Sequence, residues 1–439
     1  MLPENRNEKN TKKNHPFRLS MNAWLFVLLL LYIGISPIYD YGRAYIGLPR
    51  LGINVIVVIG FIIWIIFKLH SGIKLSVNRT YYLLILLLCI VTIYQLAAYP
   101  RVAMYGDTNI LNYFTTTIFS VFFFAVGANV TKIYNVWTIP FWHKICYYIY
   151  FFTLFCLVLA IINNGVSYSN LIEKLIILPS GSDESFNYLR FADFFAMFTL
   201  MLISWEKRLI IRNCLIVCGA IVLFAVNSRT TFYLYLLVIV IFVFSRINTY
   251  LKVTIIALIL LALTIGNVAD VQDYAQGIAS KYERTSVYRM FRLADLEKDS
   301  SYIARQRILQ EGWTELSKDW FFGNGYMGEA ETLGKGRYIH NWLSFWYAYG
   351  FIPFVLFCAL SIRLLFSTYT VWKNRKNDPV VNFVFIYSVL AFLSIILARS
   401  YVYTNIWFCL AAMAVISKEM VHDAGASKIS KNYKLISRY

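Results

Sequence analysis

Few side chains in this sequence can do chemistry, and they sit at particular places. The pair His340-Asn341 stands directly before an aromatic-rich apolar run, HNWLSFWYAYG. An imidazole titrates near pH ~6.5, so it can accept or orient a hydroxyl proton near neutrality, and the adjoining Asn341 can position either the imidazole or a sugar. Arg229 lies in the tight polar turn Asn227-Ser228-Arg229-Thr230, Arg190 opens another apolar run, and Arg305, Arg307 and Arg337 belong to the polar stretch leading to His340. Guanidinium groups keep their charge when partly desolvated and clamp phosphate oxygens with paired hydrogen bonds. Several of them converging beside one histidine suit a pyrophosphate-bearing ligand, with anionic lipid headgroups as natural candidates.

The elements that must hold these residues are apolar helices. Of the 439 residues, 59% are apolar and only 15% charged, the balance of a chain solvated by lipid. About twelve apolar runs have the length of a membrane span. They fall near 21–37, 51–67, 80–98, 109–129, 145–163, 190–205, 210–227, 231–245, 250–266, 342–366, 380–398 and 401–417. The expected organisation is a polar tail (1–20), nine spans (21–266), one large polar segment (267–340), three further spans (341–417) and a basic tail (418–439).

A net charge of +18 invites a nucleic-acid reading, which the placement of the charge excludes. With the first tail in the cytoplasm, 24 of the 41 Lys and Arg fall on that side, seven in the short opposite connections and ten in 267–340. That is the positive-inside pattern of a multi-pass protein with both termini cytoplasmic. His15, His70, His143 and His422 then lie on the cytoplasmic side, leaving His340 as the imidazole at the outer mouth of the bundle. The first apolar run follows a polar tail and lacks a small-x-small exit, so it is expected to remain as a helix.

Within 267–340, Ser301 to Trp320 form an amphipathic helical pattern through Ile303, Ile308, Leu309, Trp313, Leu316 and Trp320, expected along the outer membrane–water boundary. Five glycines from Gly323 to Gly336 follow without a Walker phosphate loop. The acidic residues here alternate with Lys and Arg and read as a solvated face. Arg43, Arg50, Arg101 and Arg399, at span ends, read as arginines reaching out to the interface. The seven cysteines fall in or beside spans without close pairing, so neither a disulfide framework nor a metal site is expected. No inverted repeat of the kind found in carriers is visible.

Three segments taken together resemble the O-antigen polymerase and O-antigen ligase superfamily of bacterial envelope enzymes. NSRTTFYLYLLVIVIF (227–242) is similar to the family's Ser-Arg turn leading into an apolar helix and matches its arginine with Arg229. IARQRILQEGWTELSKDWFFGNGY (303–326) looks like its Arg-led loop helix with a Gly-x-Gly turn and matches the second arginine with Arg305, Arg307 being the alternate. HNWLSFWYAYG (340–350) resembles its His-Asn motif before a glycine-containing helix, although Tyr349 stands where polymerases commonly carry an acid.

The resemblance implies an all-α polytopic membrane protein of glycosyltransferase-C-like architecture with a large periplasmic loop between its ninth and tenth spans. It implies transfer of a glycan from undecaprenyl diphosphate to another lipid-linked repeat unit (polymerase) or to the lipid A core (ligase). It places His340, Arg229 and Arg305 in catalysis and Arg190, Arg307, Asn341 and Arg337 in substrate binding. No cofactor is expected, and without an Asp-x-Asp signature the chemistry is expected to be metal-independent. Membrane lipids and a chain-length regulator are the further partners it implies. A lipid-linked oligosaccharide flippase and a non-enzymatic scaffold are the readings from other classes. Reporter fusions test the orientation: a fusion after residue 428 should be active only in a cytoplasmic reporter, and one near residue 295 only in an exported one.

Overall fold

The computed structural model describes residues 20–36, 39, 52–71, 79–104, 110–164, 188–226, 228–246, 300–323, 339 and 341–418. The expected ninth span, both tails and most of the large polar segment lie outside the described residues, and with them His340 and Arg337.

Every element among the described residues is a helix. The first is α1 (Met21–Leu30), continuing as a π-helical turn (Leu31–Ile35), followed by α2 (Gly52–His70), α3 (Arg79–Met104), α4 (Ile110–Ala128) and α5 (Val130–Trp137). Next come α6 (Pro140–Asn164), α7 (Tyr188–Trp205), α8 (Leu209–Ala225), α9 (Arg229–Phe244) and α10 (Ser300–Leu316). The last are α11 (Leu343–Tyr349), α12 (Phe351–Asn374), α13 (Pro379–Leu397) and α14 (Asn405–Lys418). Eleven of the twelve apolar runs thus coincide with helices.

Four of these helices are long and apolar enough to cross a bilayer: α2, α3 over Arg79–Ala97, α12 and α13. A fifth span arises if α4 and α5 count as one, bent by 70° at Asn129. The protein is therefore an α-helical membrane protein. Two expected spans have a different form. The run at 109–129 ends in that bend, and the run at 342–366 is two helices, because Gly350 adopts φ +85° between α11 and α12, where L side chains are strained.

Burial separates core from periphery. In α13, 78% of the spanning stretch is buried against 22% of α2, so α13 is the central helix and α2 a lipid-facing one. Helix α13 packs on α7, α9 and α12. It starts with Asp378, whose carboxylate accepts from the Val380 and Val381 amides (2.9 and 3.2 Å), with Pro379 at the first position. Asn382, buried in it, is fully used: Trp372 Nε1 donates to its Oδ1 (2.9 Å), and its Nδ2 donates to the Lys376 and Asp378 carbonyls. At the edge, α1 and α2 exchange indole bonds, Trp24 Nε1 to the Gly60 carbonyl and Trp64 Nε1 to the Met21 carbonyl (both 3.0 Å).

The bundle has two chemically distinct ends. One carries Lys68, Arg79, Lys132, Lys144, Lys207, Arg208, Arg246, Lys373 and Arg375, the basic end expected in the cytoplasm. There Glu206, just past α7, accepts from Arg208 Nε (3.1 Å), Nη2 (3.0 Å) and backbone amide (2.8 Å), and from the Tyr147 hydroxyl. His143 Nε2 lies 3.7 Å from the same carboxylate. Burial raises the Glu206 pKa, but the hydrogen bonds from Arg208 and Tyr147 outweigh it and bring the group down to about 2. Burial, aided by Arg208, lowers His143 against the opposing pull of Glu206.

A carboxylate depressed from 4.5 to about 2 contributes stability that is fully present above about pH 4.5 and lost as pH falls through that window. The difference in melting temperature between the wild type and Glu206→Gln in detergent should therefore be largest at pH 7 and shrink between pH ~4.5 and ~3. A constant difference over that range would show that the carboxylate's charge plays no part.

Candidate functional site

At the end opposite the basic one, α7 and α9 begin, α13 ends and residues 398–404 cross over to α14. Asp193, one turn into α7, is buried among phenylalanines. An unpaired carboxylate there would be costly, and the fold supplies a partner from 206 residues away. Arg399 Nε donates to Asp193 Oδ2 and Nη2 to Oδ1, both at 2.8 Å, a two-pronged guanidinium–carboxylate pair with both side chains under 9% exposed. Thr231, in the first turn of α9, completes it. Its hydroxyl donates to Asp193 Oδ1 (2.8 Å) and accepts from Arg399 Nη2 (3.0 Å) and from the Ser228 hydroxyl (3.0 Å).

Asp193 and Arg399 form part of the wall of a cavity of about 390 Å³, lined also by Tyr32, Arg190, Phe194, Tyr403 and Asn405. The Arg190 guanidinium lies 5.0 Å from the Tyr32 ring centroid and 5.2 Å from that of Phe194. Its Nη2 donates to the Tyr32 hydroxyl (2.6 Å) and to Asn54 Oδ1 (3.3 Å). The Tyr403 hydroxyl and Asn405 Nδ2, both buried, make no well-formed hydrogen bond among the described residues.

Of the residues singled out from the sequence, Arg190 lines this cavity. Arg229 is half-buried at the first position of α9, two residues before Thr231, and does not line it. Arg305 and Arg307 are exposed on α10, where Arg307 Nε pairs with Glu311 Oε1 (2.8 Å) one turn on. Asn341 turns its Oδ1 to the Leu343 amide (3.0 Å) and caps the start of α11. Arg399 corrects the sequence reading. Instead of reaching out to the interface, it points inward and is 8% exposed, because Asp193 offers a geometry that water at the rim does not. Asp193 was the missed signal, an acid within the apolar run RFADFFAMF.

Two of the three distant segments that carry the motif residues meet the chain at 398–405, and the third docks on one of them. Segment 227–242 reaches it through Thr231 and Arg399. Segment 340–350 reaches it through the Tyr401 amide, which donates to Ser344 Oγ (2.9 Å). Segment 303–326 docks on α11: the Tyr347 hydroxyl donates to Glu315 Oε2 (2.7 Å), Trp346 Nε1 to the Trp320 carbonyl (2.5 Å) and the Phe351 amide to the Phe321 carbonyl (3.0 Å). Leu316, Ile339 and Tyr347 fill the contact. Gly323 and Gly350, both at positive φ, lie back to back, and a Cβ on Gly350 would come 2.5 Å from the Phe321 carbonyl oxygen. Compared with protein-family models and with curated proteins, the chain matches none.

Removing one partner of the buried pair strands the other. Asp193→Ala and Arg399→Ala should each cost about 3–5 kcal/mol in unfolding from detergent micelles, whereas the double variant with leucine at both positions should cost less than the sum. Additive losses would show the two are not coupled.

Proposed function

We propose that this protein polymerises undecaprenyl-diphosphate-linked oligosaccharide repeat units by metal-independent glycosyl transfer on the periplasmic face of a bacterial inner membrane. In this reading the chain makes about twelve spans in a glycosyltransferase-C-like arrangement, with both termini cytoplasmic. The observation that carries it is that segments 227–242 and 340–350 meet on the 398–405 connection while segment 303–326 docks on the short helix of 340–350, at the end of the bundle away from the basic residues. They are the three segments that resemble the polymerase and ligase superfamily, and they lie up to a hundred residues apart in the chain.

The acceptor hydroxyl oxygen attacks the anomeric carbon of the donor as the bond from that carbon to the diphosphate oxygen breaks. Arg229 and Arg305, helped by Arg190 and with Arg307 and Arg337 nearby in sequence, stabilise the charge on the departing diphosphate, the task preorganised cations perform best. His340 takes the acceptor's proton, and Asn341 orients it or the sugar. A ligase would use the same chemistry with the lipid A core as acceptor. A flippase is favoured by one observation, the buried Asp193–Arg399 pair, since ionisable groups inside a bundle often mark transport paths.

Glycan profiling of a deletion strain separates the readings. Single repeat units on the core indicate a polymerase, naked core with polymer on its carrier a ligase, and inner-leaflet intermediates a flippase. In a complemented strain, His340→Ala and Arg229→Ala should each abolish long-chain glycan while the protein still inserts, and normal chain length with either would overturn the assignment.

A further inference from the structure

We propose that Arg212 and Arg246, which meet over the Phe242 ring at the basic end of the bundle, bind the headgroup of an anionic phospholipid in the leaflet at that end and so hold α8 to α9. The site lies at the far end of α9 from Thr231, and the inference is independent of the glycan-transfer reading.

Two helices bring these cations together. Arg212 lies in the first turn of α8 and Arg246 just past the end of α9, and their guanidinium carbons lie 5.9 and 4.3 Å from the centroid of the same buried ring, Phe242. A guanidinium over a ring uses its face and keeps its N–H edge for an acceptor. Among the described residues neither group donates a hydrogen bond or pairs with a carboxylate, and Glu206, a buried acid at this end, is taken by Arg208 and Tyr147. Partial desolvation and, after it, the Arg212 charge lower the Arg246 pKa, so the two cations are close enough to repel. Arg212 also stands at the amino end of its helix, where the backbone dipole disfavours a cation. An anion held between the two groups turns both costs into attraction.

The surroundings select a lipid as the source of that anion. Ile210, two residues before Arg212, is 78% exposed, and Val217 on α8 and Val240 and Val243 on α9 are exposed as well, the apolar surface along which acyl chains lie. A phosphodiester at the head of those chains presents oxygen acceptors to guanidinium edges, the geometry in which arginine binds phosphate best. A zwitterionic headgroup would carry a cation of its own into the field of two others, whereas a headgroup of net negative charge does not. Basic side chains at an anionic bilayer surface gain from it one by one, and here two of them converge on one place.

The test uses the full chain purified in detergent, its melting temperature read against added dioleoylphosphatidylglycerol, dioleoylphosphatidylcholine or inorganic phosphate. The anionic lipid should reach its half-maximal rise at a concentration about tenfold lower than the zwitterionic one, and phosphate at the same concentration should give no rise. Arg212→Gln together with Arg246→Gln should abolish the difference between the lipids, and Arg212→Lys together with Arg246→Lys should keep most of it. Either glutamine substitution alone should lower the difference about threefold, which keeps the test decisive if the double variant does not fold. Removing the same charge elsewhere at this end, by Lys144→Gln with Lys373→Gln, should leave the difference unchanged. Equal responses to the two lipids, or a difference that survives the glutamine substitutions, overturns the proposal. So does a rise with phosphate matching that with the anionic lipid, in favour of a soluble phosphate ligand, or an equal loss in the protein lacking Lys144 and Lys373, in favour of diffuse surface charge.

Discussion

One ion pair organises this bundle. Asp193 and Arg399 come from helices far apart in sequence, and neither is tolerable at its depth without the other. Lipid gives helices no hydrophobic reason to choose one neighbour over another, so a polar group that must find its partner selects among packings that apolar side chains leave nearly equal in energy. The pair, with Thr231, fixes the end of α13 against the first turns of α7 and α9. The 398–405 connection is held in turn, and everything docked on that connection inherits its position.

The rest of the packing grades outward from α13. Its Asn382 lock at one end and the Arg399 pair just beyond the other leave little freedom to slide, and aromatic side chains such as Tyr387 and Phe383 fill the space between. At the periphery α2 shows a row of isoleucines, among them Ile56, Ile59, Ile62 and Ile66, as lipid-facing surface should. The opposite end is held by a second buried carboxylate, Glu206, tied to Arg208 and Tyr147. The bundle is thus pinned by one acid at each end of α7.

Much of this was legible in the sequence. Long apolar runs such as IVVIGFIIWIIF and VVNFVFIYSVLAFLSIIL announce α2 and α13 directly, because nothing but a buried or lipid-bathed helix can carry them. Arg190 was legible as a charge at the head of an apolar run, and in the fold it lines the cavity. The break at Gly350 was not, since a glycine in an aromatic-rich run reads equally as helix interior, and only its neighbours decide its φ. The partnership of Asp193 with Arg399 was not legible either: each reads alone as a charge near a span end, and hydropathy averages over the single residue that matters. Arg305 and Arg307 were placed correctly on an amphipathic helix, but the sequence says nothing about how far that exposed face lies from the cavity.

The back-to-back glycines carry a consequence for how such a protein can vary. Gly323 belongs to the polar segment and Gly350 to the membrane domain, yet a Cβ on either would fall within 3 Å of the other's backbone surroundings. A substitution at one cannot be relieved by its neighbour without separating the two segments, along with the Trp346–Trp320 and Phe351–Phe321 bonds beside them. The helix at 300–316, its turn and the short helix at 343–349 therefore behave as one heritable unit. In recombination between related chains a crossover that parts them should be purged, whereas one that moves the whole block can bring in a new outer surface with its docking contacts intact.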